Sequence, residues 1–136
     1  MVNNFSEKSS SVLHQLFEVI EQRRREMPQN SYTSTLFLGG IKKINEKIKE
    51  ESQELIEAAE NFLISSEKDK NGDKTANAAP TEAQKQVVHE AADLMYHFLV
   101  ILAACDLSLY DVDRELSRRF GKSGLSEKAE RKGYGP

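Results

Sequence analysis

The sequence predicts an all-α fold, a helical bundle completed by homodimerisation. Apolar residues recur at three- and four-residue spacing through most of the chain, the period of a helix lying on a core. No run alternates with the period of two that marks a half-buried strand. The stretch from Leu94 to Ala104 is apolar around most of its circumference, and two long and two short helices from one chain cover little of such a surface. A second copy is therefore expected, with a higher oligomer left open.

At 136 residues the chain fits one domain with a modest core, expected over residues 10–121. Residues 1–9 are polar and are expected to be a disordered tail. Ser9-Ser10-Ser11 offers an N-cap for a first helix in which Val12, Leu13, Leu16, Phe17 and Ile20 keep helical spacing, and Pro28 ends it. Arg23-Arg24-Arg25 falls at the end of that helix, where positive charge suits the dipole; a phosphate site is the other reading. Ser31 to Leu38 is hydroxyl-rich with room for one short helical turn, and Gly39-Gly40 is a break before a second helix from about Ile41 to Leu63. Residues 65–80 are rich in Ser, Lys, Asp, Asn, Gly and Ala and read as a flexible loop. Thr81, with Gln84 at the capping-box position, opens a third helix that runs to about Ala104. Asp106-Leu107-Ser108 breaks it, and Ser108 with Asp111 starts a fourth. That helix has Leu109, Val112, Leu116 and Phe120 on its apolar edge and Gly121 as its stop. Residues 122–136 form a basic, glycine-punctuated segment.

A formal charge of −3 leaves no clustered excess of Lys and Arg for a general nucleic-acid binder. The single cysteine, Cys105, cannot form an internal disulfide and is expected to be a buried thiol in a reducing compartment. Met1 to Ser11 lacks the apolar core of a signal peptide. The apolar run Leu94 to Cys105 is interrupted by His97 and falls short of the ~20 residues that span a bilayer. A cytoplasmic protein that binds neither membrane nor nucleic acid is expected.

Function is concentrated in two acidic strips. Glu51 and Glu54 stand three residues apart, as do Glu90 and Asp93, and such pairs share a helix face; Glu50 joins the first through its i+4 relation to Glu54. At about 100° per residue, Ile41, Ile44, Ile48, Leu55, Ala59 and Phe62 fill one sector of the second helix. Glu51 lies inside that sector and Glu54 on its edge. A carboxylate in a core-facing row is costly unless a cation or hydrogen bonds compensate it. Glu90, Asp93 and His97 form a narrow strip on the third helix. Packed together, the strips converge four or five carboxylates, and the natural neutraliser is Mg²⁺ on hard oxygen ligands. Solvated acidic faces are the plainer alternative.

Other chemistries fit less well. His89-Glu90-x-x-Asp93 resembles a zincin helix with its second histidine replaced, and di-iron bundles require Glu-x-x-His. No phosphate-binding glycine loop and no nucleophile setting is present. Carboxylates holding Mg²⁺ suit phosphoanhydride hydrolysis. Lys43, Lys47, Arg118, Arg119, Lys122, Lys128, Arg131 and Lys132 are the cations available to an anionic substrate.

Glu50-Glu51-x-x-Glu54 followed by Glu90-x-x-Asp93 resembles the paired acidic motif of the MazG-type all-α nucleoside triphosphate pyrophosphohydrolases. Within that superfamily, Ser31-Tyr32-Thr33, Glu90-Ala91-Ala92-Asp93-Leu94-Met95-Tyr96-His97 and Ser123-Gly124-Leu125-Ser126-Glu127-Lys128-Ala129 are similar to segments of the phosphoribosyl-ATP pyrophosphohydrolases of histidine biosynthesis. The resemblance runs from about Leu13 to Lys132. It implies a MazG-like bundle and Mg²⁺-dependent hydrolysis of phosphoribosyl-ATP to phosphoribosyl-AMP and pyrophosphate. It also implies Glu51, Glu54, Glu90 and Asp93 as metal ligands, with Glu50 as an outer carboxylate or the water-activating base. Lys47 and His97 are then expected beside phosphate or ribose. Tyr32, Thr33 and the basic residues Arg118, Arg119 and Lys122 are expected around the substrate. The 65–80 loop is longer than the family leads one to expect. The chain leaves no room for the cyclohydrolase domain to which this enzyme is often fused, so one reaction is expected. A housekeeping pyrophosphohydrolase of nucleoside triphosphates and a non-catalytic helical dimer are the alternatives.

Overall fold

The structure, a computed structural model, describes residues 11–68 and 79–120. The expectations for residues 1–9, for 122–136 and for most of the 65–80 loop lie outside the described residues. Among the described residues the elements are α1 (Val12–Glu26), α2 (Tyr32–Lys68), α3 (Glu82–Ala104) and α4 (Leu109–Arg119). Helices α1 to α3 belong to one compact unit, and α4 to a second that begins at Leu107.

In α1 the Ser11 hydroxyl accepts the His14 N–H at 3.2 Å, and Met27, in the left-handed region at φ 46°, returns its N–H to the Arg23 carbonyl. Phe17 and Ile20 are buried, whereas Val12 and Leu13 are exposed. Arg24 serves a neighbouring helix as well as its own. Its guanidinium donates to the Ala103 carbonyl, pairs with Asp106 Oδ1 at 2.6 Å and lies 6.0 Å from the Phe37 ring centre. The last carbonyls of a helix have no partners within it, and Arg24 supplies one at the end of α3.

Helix α2 has two arms: a first from Tyr32, longer than the one short turn expected there, and after a non-helical Gly40 the long arm that starts at Ile41, where the second helix was expected. The Ser31 hydroxyl accepts the Ser34 N–H at 3.3 Å and its carbonyl accepts the Thr35 N–H, so the hydroxyl-rich segment is a capped helix start. The break falls at Gly40, with φ 76° and ψ −177°, a conformation nearly closed to other residues. In a straight helix Tyr32 and Glu51 would stand on the order of 28 Å apart. Instead both arms lie against the same stretch of chain, the Tyr32 hydroxyl 2.9 Å from His97 and Glu51 beside Glu90, so the chain folds back at Gly40. The long arm of α2 continues past Leu63 to Lys68. The Ser65 and Ser66 hydroxyls bond back to the Asn61 and Leu63 carbonyls, and no Pro or Gly occurs before Gly72. Of the expected apolar sector, Ile44 is fully buried, Ile48, Leu55, Ala59 and Phe62 are half-buried, and Ile41 is exposed.

Helix α3 opens on the expected capping box: Thr81 accepts the Gln84 N–H at 3.2 Å and Gln84 accepts the Thr81 N–H at 2.8 Å. It runs antiparallel to the long arm of α2, with Ala104 beside Ile44 and Glu90 beside Glu51 and Glu54. By length and composition its 23 residues are long and apolar enough to cross a membrane. Its strip of Gln86, Glu90, Asp93 and His97 and its packing along α2 instead make it the core helix of a soluble bundle. Leu99, Val100 and Ala103 join Phe17, Ile20, Leu36 and Ile44 in the core. Cys105 is exposed rather than buried, because it is the cap residue at which the chain leaves the helix.

In the second unit, Ser108 accepts the Tyr110 N–H at 3.1 Å and Asp111 accepts the Ser108 N–H at 2.8 Å, the expected reciprocal cap of α4. Leu109 is buried and Val112 half-buried, while Leu116 and Phe120 are exposed.

Candidate active site

The fold-back of α2 and its antiparallel packing on α3 bring the two acidic strips together. Glu51 and Glu90 are 6% and 7% exposed, and the Oε2 atom of each is buried without a hydrogen-bond partner. Carboxylate oxygens of Glu51, Glu54 and Glu90 lie within 4.8 Å of one another. A second group, His89, Glu90 and Asp93, meets the same limit, so Glu90 belongs to both. The Gln86 amide donates to Glu90 Oε1 at 2.6 Å, and His89 Nε2 stands 3.3 Å from Asp93 Oδ2. Asp93 thus stands in the adjoining group with His89 rather than in one trio with Glu51 and Glu54. Neither His89 nor Gln86 was singled out as a site residue in the sequence. Their signal there is a spacing of four residues, His89 to Asp93 and Gln86 to Glu90.

Among the described residues, Lys47 pairs with two of these carboxylates. Lys47 Nζ is 3.2 Å from Glu50 Oε2 and 3.5 Å from Glu51 Oε1. Glu50 itself is exposed and belongs to neither close group. Burial pushes the Glu51 carboxyl above its ordinary range. A hydrogen bond and like charge from Glu54 and the charge of Asp93 push the same way, against Lys47. Burial alone would lower the Lys47 ammonium, yet the Glu50 hydrogen bond and the charges of Tyr32, Glu50 and Glu51 leave it raised. Among the described residues the carboxylates of the cluster outnumber its cations.

Beside it sits an aromatic cluster. Tyr32 stacks on Tyr96 with ring centres 6.2 Å apart, and both meet His97 edge to face. The Tyr32 hydroxyl is 2.9 Å from His97 Nε2, and His97 Nδ1 is 2.7 Å from the Asp93 carbonyl. Thr33 is buried, its hydroxyl bonded to that of Tyr96. Burial leads the causes that raise the Tyr32 phenol above its usual value. In the α4 unit, Arg118 and then Arg119 hydrogen-bond Glu115 and hold its carboxyl down at about 2. Lys122 lies outside the described residues.

The sequence model of the phosphoribosyl-ATP pyrophosphohydrolase family matches residues 13–120. The chain belongs to that family. It is 42% identical over 121 residues to a phosphoribosyl-ATP pyrophosphatase of Methylococcus capsulatus, covering 89% of this chain and 96% of the relative. It is 39% identical over 120 residues to that of Geobacter sulfurreducens, covering 88% and 93%. For the Rhodopirellula baltica protein of the same name the identity is 40% over 120 residues, covering 88% and 85%. The phosphoribosyl-ATP pyrophosphohydrolase match takes in α1 to α4, so every described site residue lies within it.

Proposed function

We propose that the chain hydrolyses phosphoribosyl-ATP to phosphoribosyl-AMP and pyrophosphate, a step of histidine biosynthesis, with Mg²⁺ as cofactor. The observation that carries the reading is the pair of buried, unpartnered carboxylate oxygens on Glu51 and Glu90, converging with Glu54. An all-oxygen donor set of this charge fits a hard divalent cation, and Glu51, Glu54, Glu90 and Asp93 would hold it. Bound there, Mg²⁺ supplies charge neutralisation on the polyphosphate and a more acidic water.

The chain's own residues account for the remainder. Lys47 stands at the edge of the carboxylates with its ammonium held charged, ready to meet a phosphate oxygen. Water cleaving the α–β anhydride must give up a proton, and the exposed carboxylate of Glu50 is the group free of the close trios to take it. Tyr32, Thr33 and His97 wall the site beside Lys47. Leu38, Ile41, Met95 and Phe98 remain exposed on a single chain, which supports a homodimer built on these helices. A cytoplasmic location follows from the pathway.

The test is pyrophosphate release with Mg²⁺ from phosphoribosyl-ATP, ATP and a panel of deoxynucleoside triphosphates. Strong preference for phosphoribosyl-ATP is expected. Turnover of the triphosphates alone would move the role to nucleotide-pool cleansing, and silence on all of them would sink the enzymatic reading.

A further inference from the structure

The two buried glutamates of the cluster divide their oxygens in the same way. Glu51 turns Oε1 toward Lys47 at 3.5 Å, and Glu90 turns Oε1 to the Gln86 amide at 2.6 Å. Oε2 of each is buried with no hydrogen-bond partner. For Glu51 the partner is a cation; for Glu90 it is a neutral amide one turn earlier on the same helix. Gln22 and Gln53 make the same i, i+4 bond to Glu26 and Glu57, at 3.2 Å and 3.1 Å, but both of those carboxylates are exposed. Water can replace a partner on a solvated face. The Gln86 bond is shorter, and its acceptor is 7% exposed, where a lost partner is not readily made good.

The consequence lies in which oxygen is left. A carboxylate free to turn can meet a cation with one oxygen or with both. Glu90 has Oε1 occupied, so Oε2 is the atom left to join Glu51 and Glu54. The two oxygens of one carboxylate stand closer together than neighbouring corners of the small octahedron that Mg²⁺ requires, so Mg²⁺ takes one of them. The larger, more flexible shell of Ca²⁺ admits both. A glutamate held to one oxygen therefore suits the smaller ion.

We infer that Gln86 is a positioning residue that restricts Glu90 to a single ligand oxygen and so biases the site toward Mg²⁺ over Ca²⁺. This rests on the metal site proposed above. It needs no particular charge on any group, because the amide always has an N–H to donate and a carboxyl oxygen can always accept.

Calorimetric titration of the metal-free full chain with Mg²⁺ alone and with Ca²⁺ alone tests it, with no substrate present. The quantity read is the ratio of the two dissociation constants, and melting in EDTA shows that each variant is folded. Gln86→Met keeps the length of the side chain and removes the amide. It should weaken Mg²⁺ about tenfold, the lower end of the ~10–100-fold that follows loss of a ligand's hydrogen-bond partner, and leave Ca²⁺ unchanged or tighter. Gln86→Lys keeps an N–H donor, and its charge opposes both divalent ions alike, so the wild-type ratio should return. A merely structural role would weaken both ions together. Equal weakening of the two by Gln86→Met, or no change in either, refutes the role of Gln86, as does a Lys variant with the ratio of the Met variant. A wild type that binds Ca²⁺ as tightly as Mg²⁺ refutes the bias. A wild type that binds neither ion removes the metal site itself and the inference with it, an outcome distinct from every failure of Gln86 alone.

Discussion

Replacing Glu51 by Gln should make the protein more stable than wild type without metal and less stable than wild type with it. Glu51 Oε2 is buried without a partner, and its carboxyl is crowded by Glu54 and Asp93, with only Lys47 at 3.5 Å in opposition. Leaving a buried acceptor unsatisfied costs about 1–3 kcal/mol. The amide of Gln removes the negative charge and brings an N–H that can turn to Glu54. Lys47 already returns part of the cost in the wild type, so the net gain without metal is about 1 kcal/mol. For a chain of this size that raises Tm by roughly 3–5 °C.

Magnesium reverses the ranking. At a hundred times its Kd, a ligand bound only by the native state adds about 2.7 kcal/mol, on the order of 10 °C in Tm. Losing a ligand outright should weaken affinity by about 100-fold, the upper end of the ~10–100-fold that follows loss of a ligand's own hydrogen-bond partner. The same Mg²⁺ concentration then adds only about 0.4 kcal/mol to the variant. Thermal unfolding in EDTA and in millimolar Mg²⁺ reads both arms, and pyrophosphate release should fall by orders of magnitude in the variant. A variant less stable than wild type in EDTA, or one with the same Mg²⁺ shift, would refute the reasoning.

Arg24→Ala should destabilise the unit by about 0.5–1.5 kcal/mol, the worth of its hydrogen bond to the Ala103 carbonyl, which keeps the Asp106 N–H as a partner; urea unfolding measures it. Arg24→Lys should recover little, since one ammonium does not reproduce the two-pronged contact. Gly40→Ala should cost about 1–3 kcal/mol from backbone strain alone, because nothing lies within 4 Å of the added methyl. It should also lower activity by moving Tyr32 away from Glu51, and an unchanged melting curve would count against the fold-back. The raised Glu51 carboxyl sets a sign for pH. From the ordinary 4.5 up to its higher native value, the folded state holds more protons than the unfolded one, so metal-free stability should fall as pH rises. Urea titrations in EDTA should show that slope in the wild type and not in Glu51→Gln. Glu115, held down at about 2, acts in the opposite sense and only below 4.5.

What could be read in the sequence was whatever a helix makes within itself. The caps at Ser11, Thr81 and Ser108 are contacts over two or three residues, and the acidic pairs on α2 and α3 are the i, i+3 relation. The start of α2 at Ser31 was hidden among Thr33, Ser34 and Thr35, any of which can cap, and only the observed Ser34 N–H bond chooses between them. Cys105 shows how narrow the margin is: apolar neighbours argued for burial, yet one step past the helix end exposes it. The contacts that shape the site are separated by 65 residues for Tyr32 and His97 and by 82 for Arg24 and Asp106. No period in the sequence encodes them. They depend on the direction in which the chain leaves Gly40. Two adjacent glycines announce that a helix stops; the φ of 76° and ψ of −177° at the second decide that it turns back on its own long arm. That turn sets Tyr32 next to Glu51 and makes one site out of an acidic strip and an aromatic segment that are local features when taken alone. The bend at Gly40 is therefore as much a part of the site as the carboxylates are, and its substitution should be felt in binding as well as in folding.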